Sequence, residues 1–207
     1  MMKVLMVNGS PHTKGATFTA LSRIAAILAA QGIESEIFQL GSQPIRDCLG
    51  CGQCQGEGCV LPDERLSEFL KKAEEADGFI FGSPVYFSHP SGQLLSFLDR
   101  AFFSTNRNFV FAPFTGKPGA AVVVARRGGC SSALDVINKY FTIASMPVVS
   151  STYWNMVYGA SASDVVMDEE GLQTMRNLAR NMAHLLKQIN GCSAPELETK
   201  YITNFIR

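Results

Sequence analysis

The stretch from residue 3 to residue 19 most constrains how this chain can fold. A short apolar run gives way to a loop rich in Gly, Ser, Pro and Thr, and the apolar spacing then becomes helical, with Leu21, Ile24 and Leu28 on one face. This order predicts a strand, a polar loop and a helix. Backbone N–H groups at a helix N-terminus approach phosphate oxygens where side chains are small, so the loop is a candidate anion site.

The loop lacks two common nucleotide fingerprints. A Walker A loop ends in Gly-Lys-Ser/Thr and a dinucleotide loop follows G-x-G-x-x-G, and neither pattern is present. Hydroxyl and basic side chains without close-packed glycines favour a single terminal phosphate, as in a mononucleotide such as FMN. The alternative is an ordinary turn whose polar residues only cap the helix. The candidate phosphate ligands are Ser10, His12, Lys14, Gly15, Ala16 and Thr17.

Composition indicates a globular protein rather than a disordered or nucleic-acid-binding one. Of 207 residues, 46% are apolar and 17% are charged, and the formal net charge is zero. A neutral, fairly apolar chain of this length favours one domain and self-association. No apolar run is long enough to span a membrane or serve as a signal peptide, so we expect a cytoplasmic protein with reduced, metal-bound or catalytic cysteines.

Strand-like and helical segments alternate along the chain. This alternation predicts a flavodoxin-like, three-layer α/β/α fold with a five-stranded parallel sheet of order 2-1-3-4-5. The domain is expected to span residues 1–190, with a cysteine-rich loop at 41–61 and a tail at 191–207. The five strands are predicted at Lys3 to Val7, Glu34 to Leu40, Gly78 to Gly82, Ala120 to Ala125 and Pro147 to Tyr153.

Three unusual loops follow the first, third and fourth predicted strands: Asn8 to Thr17, Ser83 to Pro90 and Arg126 to Gly129. In a sheet of this order these loops meet at the crevice where the winding direction reverses, so one ligand can contact all three. Such a crevice suits a flavin whose phosphate lies on the first loop.

The second and third loops carry residue types that suit a flavin ring. Prolines fix the path of the second loop, and Tyr86 or Phe87 offers a stacking face. Glycines in the third loop have no side chain, so backbone N–H groups there can approach the edge of the flavin ring. An arginine in the same loop places positive charge near N1, where the reduced ring carries negative charge. The candidates are Pro84, Val85, Tyr86, Phe87, Arg126, Arg127, Gly128 and Gly129, with Tyr86 and Arg126 as candidate catalytic residues.

Together these motifs resemble the NADPH-dependent FMN reductase branch of the flavodoxin-like superfamily. The resemblance implies non-covalent FMN, hydride transfer from NAD(P)H, and dimers or tetramers with the flavin near a subunit boundary. Ala16 departs from related loops, which often carry Asn there, and so removes a side-chain donor. The matching motifs are Asn8-Gly-Ser-Pro with Gly15-Ala-Thr17, Gly82-Ser-Pro-Val-Tyr-Phe87 with Leu98-Asp-Arg100, and Arg126-Arg-Gly-Gly129.

Four cysteines, Cys48, Cys51, Cys54 and Cys59, follow C-x2-C-x2-C-x4-C, close to a compact ferredoxin motif. The motif also resembles that of iron–sulfur flavoproteins, which implies a [4Fe–4S] cluster that exchanges electrons with FMN. The alternatives are free thiols, disulfides or a zinc site. The C-x5-R spacing from Cys59 is not a phosphatase loop, because its proline lacks an N–H and its two carboxylates repel phosphate.

Three functions remain open from the sequence. The leading expectation is an FMN-dependent NAD(P)H oxidoreductase that reduces a quinone, a flavin or another small-molecule acceptor. The second is an electron carrier between a [4Fe–4S] cluster and FMN. The third is a binding module of the same fold without a flavin.

Overall fold

A computed structural model of the chain describes residues 1–193, 195 and 198, so most of the expected tail at 191–207 lies outside the described residues. The strands are β1 (Lys3–Asn8), β2 (Glu34–Gln39), β3 (Gly78–Tyr86), β4 (His89–Pro90), β5 (Asn106–Arg107), β6 (Val110–Phe111), β7 (Gly119–Ala125) and β8 (Met156–Tyr158). The helices are α1 (Ala16–Ala30), α2 (Glu64–Glu74), α3 (Gly92–Thr105), α4 (Cys130–Ile143), α5 (Ala162–Val165) and α6 (Glu169–Ile189).

The central sheet has the order β2-β1-β3-β7-β8, and these five strands are parallel. When these five parallel strands are numbered among themselves in chain order, their order in the sheet is 2-1-3-4-5, as predicted. The chain therefore winds outward in both directions from the boundary between β1 and β3, which leaves a crevice at the carboxyl ends of those strands.

Strand β1 is buried on both faces, as its continuous apolar sequence predicts. Leu5 and Val7 pack into one hydrophobic cluster with the inner faces of α2, α3 and α4. Val4 and Met6 point the opposite way and pack against α1 and α6. This alternation confirms the three-layer arrangement. In the described part of the chain, none of the helices combines the length and apolarity needed to cross a membrane.

The prediction for the fifth strand was wrong. Pro147 to Tyr153 does not form a strand; Val148 makes only an isolated bridge to Gly119, and the strand beside β7 is β8, at Met156–Tyr158. After this bridge the polar residues 150–152 lie away from the sheet. The chain rejoins the sheet at the buried Asn155, whose backbone carbonyl accepts a hydrogen bond from the N–H of Val123. The apolar run alone did not reveal this excursion.

The second predicted loop is largely a hairpin. Strand β3 continues past Gly82 to Tyr86, pairs with β7 as far as Pro84, and turns back into the short antiparallel β4. Phe87 and Ser88 form the two-residue turn, and both have positive φ. Such turns normally carry Asn or Gly, and because neither residue is present here, the turn was not predicted. A second short hairpin, β5–β6, lies between α3 and β7.

Candidate functional site

A cavity of about 760 Å³ opens at the carboxyl ends of β1, β3 and β7. Its volume lies within the range of about 300–1,000 Å³ that is usual for small-molecule sites. Four segments form its walls: the loop after β1, the end of β3, the end of β7 and the loop after β8. The lining residues are Ser10 to Thr17, Pro84 to Tyr86, Val124 to Arg126 and Gly159 to Ala162.

The loop after β1 is held by Asn8, the last residue of that strand. Asn8 is fully buried and stands between Gln39 of β2 and Gly82 of β3 in the sheet register. Its Oδ1 accepts a hydrogen bond from the N–H of Ser10 (3.1 Å), and its Nδ2 donates to the carbonyl of His12 (3.3 Å) and to Gln39 Oε1. Gln39 Nε2 in turn donates to the Ser10 carbonyl at 2.7 Å. Two side chains at strand ends thus fix the path of the loop.

The same loop is tied to the β3–β4 hairpin by two buried serines. Ser91 Oγ donates to the Gly9 carbonyl at 2.7 Å, and the N–H of Ser91 donates to Ser83 Oγ at 2.9 Å. The N–H of Gly9 also donates to the Gly82 carbonyl at 2.8 Å. The first two predicted loops are therefore held in one fixed arrangement on the cavity.

Helix α1 points its N-terminus at the cavity. Its N-cap residue, Gly15, provides no side-chain cap, so in the described structure the first-turn N–H groups are left without the usual side-chain acceptor. Thr17 lines the cavity and is only 1% exposed, and its hydroxyl has no hydrogen-bond partner among the described residues. These uncommitted donors are suited to an anion.

The charges on the cavity wall also favour an anion. Lys14 and Arg126 contribute two cationic side chains, and His12 contributes an imidazole. Among the described residues that line the cavity, none is a carboxylate. A singly phosphorylated ligand would therefore meet no acidic repulsion at the lining.

Of the two aromatic residues predicted to face the ligand, the structure places only Tyr86 at the cavity. Tyr86 lies at the end of β3 and is 47% exposed, so much of its side chain is uncovered on the cavity wall. Phe87 occupies the tip of the hairpin turn, is fully exposed and does not line the cavity. Pro84 and Val85 line the wall as predicted.

The loop after β7 contributes less to the lining than its sequence suggested. Arg126 lines the cavity, but Arg127, Gly128 and Gly129 are not among the lining residues. Gly129 has φ +88°, and a Cβ there would lie 2.7 Å from the Cα of Ser88. The glycine is thus needed for close packing of this loop against the hairpin turn, a structural requirement that differs from the predicted contact with a ring edge.

The fourth wall of the cavity, residues 159–162, is not among the three loops predicted from the sequence. The N–H of Gly159 donates to the Ala125 carbonyl at 2.9 Å, which holds this loop beside the end of β7. Ser161 and Asp164 then form a capping box at the start of α5. Hydrogen bonding to Ser161 and to nearby backbone N–H groups lowers the pKa of Asp164. The S-x-x-D spacing of this box was the available sequence signal.

The four-cysteine loop lies between β2 and α2 and forms no helix or strand. Cys54 is buried; its burial raises the pKa of its thiol, and the charges of Cys59, Cys51 and Cys48 add to that increase. In the described part of the chain, no three His, Cys, Asp or Glu side chains are grouped so as to hold a metal ion. The four sulfurs are therefore not grouped as a bound cluster would require, although all four are free thiols in one short loop.

A doubly wound parallel sheet with a cavity at its switch point defines a flavodoxin-like protein. The family model for NADPH-dependent FMN reductase matches residues 2–161. The chain belongs to this family, and it is a flavin-dependent oxidoreductase.

Individual relatives agree with this assignment. An iron–sulfur flavoprotein of Methanocaldococcus jannaschii is 37% identical over 196 residues, which cover 91% of this chain and 99% of the relative. The crystal structure of RosB with bound 8-demethyl-8-formylriboflavin-5'-phosphate has a TM-score of 0.74 at 15% identity and covers 93% of this chain and 81% of RosB. An NAD(P)H:quinone oxidoreductase from Methanothermobacter marburgensis has a TM-score of 0.63 at 19% identity, covering 88% and 98%. The two structures support the fold.

The residues at the cavity fit FMN. The uncapped helix N-terminus and the Thr17 hydroxyl are free to receive a phosphate, and the volume admits a ligand of this size. Tyr86 and the apolar end of β7 supply the less polar wall that a planar ring requires.

Proposed function

We propose that the protein binds FMN in this cavity and transfers reducing equivalents from NAD(P)H to a small-molecule acceptor such as a quinone or a free flavin. One observation carries the proposal: the uncapped start of α1, the cationic Arg126 and the aromatic Tyr86 all line one cavity at the switch point of the sheet. The family and the oxidoreductase fold are consistent with it.

Bound FMN would supply hydride-accepting chemistry at N5 and return electrons singly or in pairs. The chain's own residues bind the phosphate of FMN and orient its ring. The α1 N-terminus, Ser10 and Thr17 receive the phosphate, with Lys14 and His12 adding donors; Gly15 and Ala16 leave room for the phosphate oxygens. The end of β3, residues 84–86, supports the ring, and Arg126 provides positive charge where the reduced ring carries negative charge.

Arg126 and Arg127 allow a matched test of this role, because only Arg126 lines the cavity. At equal FMN occupancy, Arg126→Ala is expected to slow flavin reduction by NADPH about fivefold, a modest effect because the side chain is exposed to solvent screening. Stopped-flow absorbance of the flavin band measures this rate. Arg127→Ala makes the same charge change and is expected to leave the rate within about twofold of wild type. Equal rates for wild type and Arg126→Ala would remove the assigned role.

The second candidate function is an iron–sulfur flavoprotein, in which the four-cysteine loop holds a [4Fe–4S] cluster and exchanges single electrons with FMN. Two observations favour it: the relative of 37% identity is named an iron–sulfur flavoprotein, and the loop offers four free thiols within twelve residues. Four cysteine thiolates are the donor type that a [4Fe–4S] cluster requires, although the described positions of these sulfurs are not grouped around a metal site. Iron and sulfide analysis of anaerobically purified protein, paired with an NAD(P)H oxidation assay, separates the two functions.

We also propose a cytoplasmic homodimer or homotetramer. Tyr153 and Trp154 have ring centroids 5.1 Å apart and are both exposed, and Met167 is exposed as well. Clustered apolar side chains on a monomer's surface are typical of subunit contacts. Sedimentation or light scattering would give the number of copies.

A further inference from the structure

The fourth wall of the cavity, residues 159–162, is anchored at both of its ends. At the first, the N–H of Gly159 donates to the Ala125 carbonyl at 2.9 Å, which holds the wall beside the end of β7. At the second, the wall leads into α5, which packs beside α1. Val165 of α5 is fully buried in the hydrophobic cluster on the α1 side of the sheet. The wall therefore links the β7 side of the cavity to the side formed by α1 and its loop.

One carboxylate oxygen fixes the backbone of this wall. Asp164 Oδ2 accepts hydrogen bonds from the N–H groups of Ala160 and Ser161, both at 2.9 Å. The N–H of Asp164 in turn donates to Ser161 Oγ at 3.2 Å. Ala160 and Ser161 line the cavity, whereas Asp164 does not. Asp164 can therefore act on a ligand only through the residues that it holds.

The hydrogen bonds of the wall leave it few donors for a phosphate. Asp164 occupies the N–H groups of Ala160 and Ser161, and the Ala125 carbonyl occupies that of Gly159. The methyl groups of two alanines, at positions 160 and 162, belong to the lining. A phosphate requires donors, which the start of α1 offers and this wall does not. The wall is therefore suited to contact an uncharged part of the ligand.

We propose that Asp164 is a positioning residue for the flavin site, where it holds residues 159–162 in the conformation that contacts the uncharged part of the ligand. This inference rests on the proposed FMN function. A wall that is ordered before the ligand arrives loses less conformational entropy on binding, so its order increases the affinity. The uncharged part is the same in FMN and riboflavin. Loss of the Asp164 carboxylate is therefore expected to weaken the binding of both ligands equally.

The experiment titrates the full-length apoprotein with FMN and with riboflavin and follows flavin fluorescence. For Asp164→Ala we expect both affinities to fall about tenfold, so that their ratio stays unchanged. Asp164→Asn is expected to remain within about twofold of wild type, because one amide oxygen can accept both hydrogen bonds that Oδ2 accepts. Rescue by Asn would show that the acceptor, and not the negative charge, is what the wall requires.

Asp168→Ala is the matched control. The Asp168 carboxylate also accepts two backbone hydrogen bonds, from the N–H groups of Tyr158 at 2.7 Å and Gly171 at 2.9 Å. None of these three residues lines the cavity. We expect both alanine variants to unfold at lower urea concentration, because each loses a helix-capping side chain. The flavin affinities of Asp168→Ala are expected to stay within about twofold of wild type, since its partners lie outside the lining.

Four results would overturn the inference: wild-type affinities in Asp164→Ala, a loss confined to FMN, an equal loss in Asp164→Asn, or an equal loss in Asp168→Ala. If Asp164→Ala does not fold, Ser161→Ala decides, because it breaks the other half of the capping box. It is expected to lower both affinities by the same factor, and unchanged affinities would overturn the inference. Wild type that binds neither flavin would overturn the proposed FMN function itself, whereas the results above leave that function standing.

Discussion

Replacing Asn8 with alanine is expected to weaken FMN binding more than tenfold and to lower the free energy of unfolding by about 2–4 kcal/mol. The reason is that Asn8 is fully buried and makes three hydrogen bonds, to Ser10, His12 and Gln39. The variant leaves the buried N–H of Ser10 without its acceptor, breaks the hydrogen bonds to His12 and Gln39, and releases the loop that presents the helix N-terminus. Urea unfolding of the apoprotein and fluorescence titration with FMN measure the two effects.

Asn181→Ala is the matched control for this change. Asn181 also donates a side-chain hydrogen bond to a backbone carbonyl, that of Ser150 at 2.8 Å, but it is exposed on α6. We expect a change in unfolding free energy of less than about 0.5 kcal/mol and unchanged FMN affinity. Equal losses in the two variants would show that Asn8 has no special role in holding the loop.

Thr17→Val is expected to lower the affinity for FMN by about 10- to 100-fold while leaving the affinity for riboflavin nearly unchanged. The substitution keeps the shape of this buried side chain and removes a hydroxyl that lines the cavity without a partner among the described residues. A hydrogen bond to a charged phosphate is worth about 1.5–3 kcal/mol, and riboflavin has no phosphate to lose it. Isothermal titration with both ligands gives the comparison.

Thr142→Val serves as the control, since Thr142 lies exposed at the end of α4 and its hydroxyl only donates to the Lys139 carbonyl. Its affinity for both ligands is expected to equal that of wild type. A parallel loss of FMN and riboflavin binding in Thr17→Val would mean that the hydroxyl supports the cavity generally and does not contact the phosphate.

Local patterns predicted the sheet and the first loop well. The change from a continuous apolar run to helical spacing around residue 16 reflects how β1 and α1 are buried, so their order and the intervening loop followed directly. The strand order then followed from the doubly wound pattern that five strands alternating with helices indicate. The prediction failed where pairing is not local: Val148 and Val149 are strand-like, but only these first residues of the run at 147–153 reach Gly119.

The lining of the cavity was harder to predict than its location. Phe87 and Ser88 adopt positive φ without the Gly or Asn that usually indicates such a turn, so the outward position of Phe87 was not visible in the sequence. Gly159 to Ala162 carries no nucleotide fingerprint and reaches the cavity only because β8 begins later than predicted. Asn8 and Gln39 can hold the loop after β1 by hydrogen bonds only because of the register between β1 and β2, which no local pattern specifies.

One cavity at the switch point of the sheet is expected to hold a flat molecule with a single phosphate. Titration of the apoprotein with FMN, in parallel with riboflavin, tests it most directly. We expect one FMN per chain, bound at least about tenfold more tightly than riboflavin, because the phosphate meets the uncapped start of α1. Equal affinity for the two ligands, or no saturable binding of FMN, would contradict the claim.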